Sequence, residues 1–232
     1  MRMLSKTELP QSRILALDVN ETLLDVNALR PHFQRIFGNG SVLKEWFTQM
    51  LLYAQSVTLT GTFVDFTTLA RCAMELAANI HAVQLSEADE TSILNAIKIL
   101  PAHPDVSDAL QRLRQNGFRL VTLTNSTQST VEAQMHSAGL APLFERMFSI
   151  DAVKKYKPHP DTYHYVAKQL NVKTSEMVMI AAHPWDLMGA KAAGCGVAFV
   201  ERPGASWFYS SPKPELSATN LNELAARLIS RE

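Results

Sequence analysis

An α/β fold is predicted for this chain of 232 residues: a parallel sheet with helices on both faces, interrupted once by an all-helical insertion. Three observations predict it. Short apolar runs at 14–17, 120–123, 177–181 and 196–200 lead into polar residues, namely Asp18, Thr124 with Asn125, His183, and Glu201 with Arg202. Continuous apolar runs bounded by polar turns and separated by helical patterns suit strands buried on both faces. The helical patterns between the later runs stop at recognisable places, 105–115 at Asn116-Gly117, 129–137 near Gly139 and 187–193 at Gly194. Glycine and asparagine tolerate the left-handed backbone that closes a helix. The stretch 25–100 breaks the alternation and reads as successive amphipathic helices.

Taken in order, the segment 1–13 is polar and runs straight into the first strand, with no apolar stretch of the signal-peptide kind. Amphipathic helices are expected at 43–57, 66–80 and 86–99, and Pro101 and Pro104 mark the return of the chain to the sheet. From Gly117 onward strand and helix alternate, and 206–214, with its serines and prolines, reads as a surface loop. The predicted division is a Rossmann-like core of residues 1–24 and 101–232 around a helical unit of residues 25–100. A chain of this length buries one core and an accessory lobe.

Composition narrows the function. Apolar residues make up 47% and charged residues 19%, which places the chain among folded globular proteins. Twenty-two basic residues balance twenty-two acidic ones, so no global field draws the protein to nucleic acid or to an anionic membrane. A small-molecule partner is expected. No run of eighteen apolar residues occurs, and Cys72 and Cys195, far apart in Ala-rich settings, read as buried thiols in a reducing compartment. A cytoplasmic location follows as the expectation.

In an open α/β sheet, ligands bind beyond the carboxyl ends of the strands, so the polar residues placed there share one pocket. Asp18 heads the segment Asp18-Val19-Asn20-Glu21-Thr22-Leu23, with a hydroxyl four residues on. A carboxylate in that position either caps a turn or attacks carbon or phosphorus to form a covalent intermediate. Thr124, Asn125 and Ser126 follow the second apolar run, Lys157 lies in Tyr156-Lys157-Pro158, and Asp186 closes His183-Pro184-Trp185-Asp186. Each has a plainer reading: Lys157 as a solvated lysine, Thr124 as a helix cap, Asp186 as a structural ion-pair partner of Lys157. For Asp186 the two readings are compatible.

The order Asp, Thr or Ser, Lys-Pro, Asp resembles the sequence motifs of the haloacid dehalogenase superfamily, from residue 14 to about 203. Phosphatases of that superfamily carry a second Asp two residues after the nucleophile and a Gly-Asp in the last motif for magnesium. Here Asn20 and Ala182-His183 stand in those places. An amide cannot shuttle a proton, and a hard cation prefers carboxylate oxygen to imidazole. The chain is more similar to the L-2-haloacid dehalogenases, which also lack the second Asp and carry a helical cap whose Trp- and Tyr-containing helix looks like 46–53. The resemblance implies hydrolysis of small 2-haloacids with no metal or other cofactor. Asp18 displaces halide to form an aspartyl ester, and water then attacks the ester carbonyl, inverting C2.

By the same resemblance Lys157 keeps Asp18 ionised and Asp186 helps activate the water, the three being the catalytic residues. Thr22, Asn20, Thr124, Asn125 and Tyr163 orient the nucleophile or meet the substrate. Trp185, Phe66 and Phe47 wall an apolar pocket, or for Phe66 equally pack the core. A homodimer through the cap is also implied. Two departures stand out: Phe47 follows Trp46 where the family has an Arg for the leaving halide, and Ala181 and His183 replace a Ser and an Asn. His183 has three readings, as a donor to halide or substrate, as a base for water, or as a structural residue. The alternatives for the whole chain are a phosphatase or phosphonatase-like hydrolase, or a binding protein that kept the fold without efficient chemistry.

Overall fold

The computed structural model describes residues 13–208 and 213–230. Its sheet has strands β1 (Ile14–Leu17), β2 (Arg119–Thr124), β3 (Arg146–Ser149), β4 (Met177–Ala181), β5 (Gly196–Val200) and β6 (Leu216–Ala218) in the order β3-β2-β1-β4-β5-β6. Every pairing is parallel, with Leu15 opposite Leu120 on one side and Val178 on the other. The chain first steps outward from β1 to β3 and then jumps back to β4, so the strand order reverses between β1 and β4. That reversal opens a crevice at the carboxyl ends of these two strands. β1, β4 and β5 are buried along their whole length, which is why they read as unbroken apolar runs.

Five helices cover the sheet: α5 (Val106–Gln115), α6 (Gln128–Ser137), α7 (Pro160–Leu170), α8 (Pro184–Ala192) and α9 (Leu221–Ile229). α5 packs with α9 and α7 with α8, the two-layer arrangement that right-handed crossovers produce. Between β1 and α5 the chain makes a helical insertion of α1 (Arg30–Phe37), α2 (Val42–Leu59), α3 (Phe66–Ile80) and α4 (Glu87–Ile97). The sequence supplies its caps. The Asp65 carboxylate accepts the N–H groups of Thr67 and Thr68 at the start of α3, and Ser86 with Asp89 forms a reciprocal cap on α4. α2 and α3 pack through Trp46, Met50 and Ala54 against Leu69, Ala70 and Ala73, and the Trp46 indole donates to the Ala70 carbonyl at 2.9 Å. At the neck, Asp25 N donates to Pro101 O and His103 N to Leu23 O, both at 2.9 Å, so exit and re-entry run side by side.

Several expectations need correction. Cys72 is exposed, because it falls on the solvent face of α3 while Ala70 and Ala73 face inward; only Cys195 is buried. α8 begins at Pro184, earlier than the expected 187, since proline suits the first helical turn. Asp186 therefore sits in that turn. β3, β6, α1, α7 and α9 were not among the expected elements. β3 is exposed at Arg146 and buried only over its last two residues, and β6 has three residues, so neither reads as a buried apolar run. The expected polar N-terminal segment, apart from Arg13, and residues 209–212 of the expected loop lie outside the described residues. Among the described residues no helix is long and apolar enough to cross a membrane.

Candidate active site

Asp18 continues β1 by one residue, its N–H donating to Ile180 O of β4 at 3.0 Å, and its carboxylate projects into the crevice. The chain then turns sharply through Glu21, whose φ of 61° lies in the left-handed region. Few residues adopt that backbone without support. Here Leu23 and Leu24 both donate back to Val19 O, and the Arg202 guanidinium holds Thr22 O at 3.0 Å. The turn brings the Thr22 hydroxyl to Asp18 Oδ2 at 2.6 Å while the same hydroxyl accepts Ala182 N at 3.0 Å.

Lys157 is 1% exposed, and its ammonium donates to Asp18 Oδ1 at 2.8 Å, Asp186 Oδ2 at 2.7 Å and Leu123 O at 2.7 Å. All three of its protons are engaged, which is the condition for burying a lysine at modest cost. The loop carrying it is fastened from two sides. Asn125 Oδ1 accepts Lys157 N at 3.0 Å, Tyr156 donates its hydroxyl to Val64 O of the insertion at 2.6 Å, and the Lys157-Pro158 peptide is cis. α8 lies so close to Pro158 that a β-carbon at Gly189 would sit 2.4 Å from the Pro158 carbonyl oxygen. Only glycine allows that approach, and it sets Asp186 against Lys157. The Tyr163 hydroxyl donates to Asp186 Oδ1 at 2.6 Å.

The charges push the two carboxylates apart. Burial alone raises Asp18, but the Lys157 charge and the donors from His183 and Lys157 outweigh it and hold the carboxyl well below the ordinary range. Asp186 is raised instead, by complete burial and by the neighbouring Asp18 charge, against the pull of Lys157. Burial would lower Lys157, yet the two carboxylates raise it. The site thus holds an ionised carboxylate, a cation and a more basic carboxylate in series, the separation that acid and base roles require.

His183, just past β4, places Nδ1 3.1 Å from Asp18 Oδ2 and Nε2 2.7 Å from Glu21 Oε2. Burial lowers its pKa, but the bonds and charges of Asp18 and Glu21 prevail and push it up to about 9 from an ordinary 6.5. A histidine raised on folding stabilises the fold fully below its unfolded pKa, and that contribution disappears as pH rises through the folded value. Stability is therefore expected to fall between pH 6.5 and about 9. Urea midpoints across this window measure it, and His183→Leu should flatten the slope; equal slopes in both proteins would refute the assignment.

The remaining expected site residues divide. Thr22 and Lys157 join Asp18 directly, Asp186 through Lys157, and Tyr163 through Asp186 and Lys157, and Asn125 holds the lysine loop. The Thr124 hydroxyl accepts Ser126 N at 3.1 Å and so shapes the turn after β2. Asn20 donates to Ser126 Oγ and accepts from Gln134 Nε2, each at 3.0 Å. Phe47 and Trp185 meet the His183 ring at centroid distances of 6.4 and 5.1 Å, and Phe66 packs on Tyr156 at 5.8 Å. Phe47 also separates two hollows. One, about 170 Å³, is bounded by Asn20, Trp46, Met50, Phe66, Leu94 and Ser126; the other, about 470 Å³, opens past His183 and Glu21 toward Arg30, Lys44 and Arg202. Sequence reasoning missed Glu21 as the partner of His183. Its only signal was an acidic residue inside the nucleophile turn.

A parallel sheet with a buried carboxylate at the end of its first strand and a helical insertion behind it suits a class of hydrolase, and comparison with known proteins places the chain within it. The sequence model of the haloacid dehalogenase-like hydrolases matches residues 13–194, and the chain belongs to that family. It is similar to haloacetate dehalogenase H-2 of Moraxella sp. (strain B), 28% identical over 88% of this chain and 92% of the relative. It is also 28% identical to (S)-2-haloacid dehalogenase 1 of Pseudomonas sp. (strain CBS-3), over 94% and 96% of the two chains. The L-2-haloacid dehalogenase of Xanthobacter autotrophicus, solved with chloropropionic acid covalently bound, has the same fold with a TM-score of 0.87 at 23% identity, covering 94% and 98%.

Proposed function

We propose that the protein hydrolyses small 2-haloacids, without a metal ion, through an ester on Asp18. The observation that carries this reading is the bridge of Lys157 between an acidified Asp18 and a more basic Asp186. Asp18 Oδ1 has one donor, so a lone pair remains for in-line attack on C2; the Oδ1–C2 bond forms as the carbon–halogen bond breaks and halide departs with the electron pair. Water then attacks Asp18 Cγ and gives a proton to Asp186. Collapse breaks the Cγ–Oδ1 bond, and the leaving alkoxide takes a proton from Lys157, which recovers one from Asp186 at 2.7 Å. The acid left on Asp18 ionises, and a 2-hydroxy acid of inverted configuration is released.

Asn20 supports this chemistry over phosphoryl transfer, because its amide is committed to Ser126 and Gln134 and cannot serve as acid or base. Both Asp18 oxygens already accept from Lys157, Thr22 or His183, cations and donors that compete with a metal for the same lone pairs. The names of the relatives point the same way. We further assign the helical insertion, residues 25–100, as a cap that excludes water until the ester forms.

The 170 Å³ hollow beside Asn20 suits the substituent on C2, since an apolar cavity of about 150 Å³ accepts a benzene ring. Halide release from bromoacetate, 2-bromopropionate, 2-bromobutanoate and 2-bromohexanoate, with and without EDTA, tests both points. Release should survive EDTA, and kcat/KM should climb along the series by up to about 0.8 kcal/mol per methylene. A flat or falling series would empty the hollow of that role. Failure on every acid, with magnesium-dependent release of phosphate from phosphoesters, would overturn the dehalogenase reading itself.

A further inference from the structure

His183 aims both ring nitrogens at carboxylates, and that geometry decides among its roles. A halide leaving C2 departs on the side opposite the attacking oxygen. The Nδ1 of His183 points at Asp18 itself, 3.1 Å from Oδ2, and Nε2 is taken by Glu21 at 2.7 Å. Neither N–H faces the departing halide. Nor does a doubly donating ring have a lone pair with which to deprotonate water.

The two oxygens of Asp18 are not equivalent. Oδ2 receives Thr22 Oγ1 at 2.6 Å and His183 Nδ1 at 3.1 Å, so both of its lone pairs are engaged; among the described residues Oδ1 receives Lys157 alone. Oδ1 therefore becomes the ester oxygen and Oδ2 stays as the ester carbonyl. We propose that Thr22 and His183, the latter positioned by Glu21, form the oxyanion site for hydrolysis of the Asp18 ester. This inference rests on the haloacid reading above and assigns the residues that drive its second half.

When water attacks Cγ, the carbonyl π pair moves onto Oδ2, where both donors already point. Collapse returns the pair, reforms the carbonyl and breaks the bond from Cγ to Oδ1. Donors fixed in advance on the oxygen where charge develops cost no reorganisation, and removing one from such a site typically lowers turnover by about 10²- to 10³-fold. The surroundings fix His183 tightly. Phe47 lies near-parallel to its ring at 27°, Trp185 packs on it, and Glu21 reaches it only because its backbone turns left-handed, with φ of 61°. The Arg202 guanidinium, itself paired with Asp105 at 2.8 Å, keeps that turn in place through Thr22 O. Glu21 is thus a positioning residue, acting through His183.

The test follows the ester. Rapid mixing of the full-length protein with 2-bromopropionate, read by bromide release and by intact-protein mass, separates the two halves of the reaction. In the wild type hydrolysis keeps pace and little adduct builds up. In His183→Leu turnover should drop by about 10²-fold, with a bromide burst approaching one equivalent per site and a stable carboxyethyl adduct. Glu21→Gln preserves size and hydrogen-bonding capacity, so it guards against misfolding of the first variant; it should show the same burst with a smaller loss of turnover. A merely structural role for Glu21 would lower both steps together and leave no burst. Slowed bromide release without adduct in both variants would overturn the proposal. Absence of bromide release and adduct in the wild type would instead overturn the haloacid reading, and the proposal with it.

Discussion

On the haloacid reading, Asp18→Asn should abolish halide release while the protein remains folded. An amide oxygen carries no net charge and is a poor nucleophile toward a halogen-bearing carbon, so the first bond cannot form at a useful rate. Loss of a covalent nucleophile costs several orders of magnitude, and residual activity of about 10⁻⁴ of the wild type or less is expected. The neighbours make this more than a side-chain deletion. Lys157 keeps Asp186 and Leu123 O as acceptors, so its charge stays paired and the fold tolerates the change. His183 loses the charge of one of the two carboxylates that raise its pKa, and the stability slope between pH 6.5 and about 9 should shrink in the variant. Bromide measured by ion chromatography over a long incubation, with thermal melts at both ends of that window, gives the result. Release within tenfold of the wild type would show that Asp18 is not the nucleophile.

How much of this was legible in the sequence depended on locality. β1, β4 and β5 occupy the expected residues because a strand buried on both faces leaves a continuous apolar run with polar ends. β3, exposed at Arg146, and β6, only three residues long, carry no such mark. Asp18, Lys157 and Asp186 were readable as an ordered set of motifs, and the structure brings their charged groups within 2.8 Å of the ammonium. What the sequence could not display were contacts fixed by long separations and by backbone shape. His183 meets Glu21 across 162 positions, Gln134 meets Asn20 across 114, and Arg202 meets Thr22 O across 180. Each depends on the order of strands at the crevice or on a left-handed turn at a residue that gives no hint of one. Cys72 illustrates the opposite error. Its Ala-rich setting suggested burial, but the helix period turns one position in such a stretch to solvent.

Replacing Lys157 should cost more stability than any other change in the crevice and should steepen the gain of stability in acid. Lys157→Met keeps the length of the side chain and removes the charge, leaving Asp186 buried without a cation and Asp18 with His183 alone. Breaking a buried ion pair by removing one partner typically costs about 3–5 kcal/mol. In the wild type Asp18 is depressed on folding, so its contribution is present above its ordinary value of 3.8 and is lost as pH falls through the lower folded value. In the variant Lys157 no longer opposes burial and the facing carboxylate, so Asp186, already raised in the wild type, rises further, while His183 still holds Asp18 down. A carboxyl raised on folding favours the native state when protonated, so as pH falls from 7 toward 5 the variant should gain more stability than the wild type, whose own gain there comes from His183 and Asp186. Adding Asp186→Asn removes one of the two stranded charges, and the double variant should be less destabilised than the sum of its parts by about 1–3 kcal/mol. Urea midpoints for the four proteins at pH 5 and 7 complete the cycle. Additive losses, or a Lys157→Met variant that gains no more stability between pH 7 and 5 than the wild type does, would mean that the lysine holds its place through packing and not through the two carboxylates it bridges.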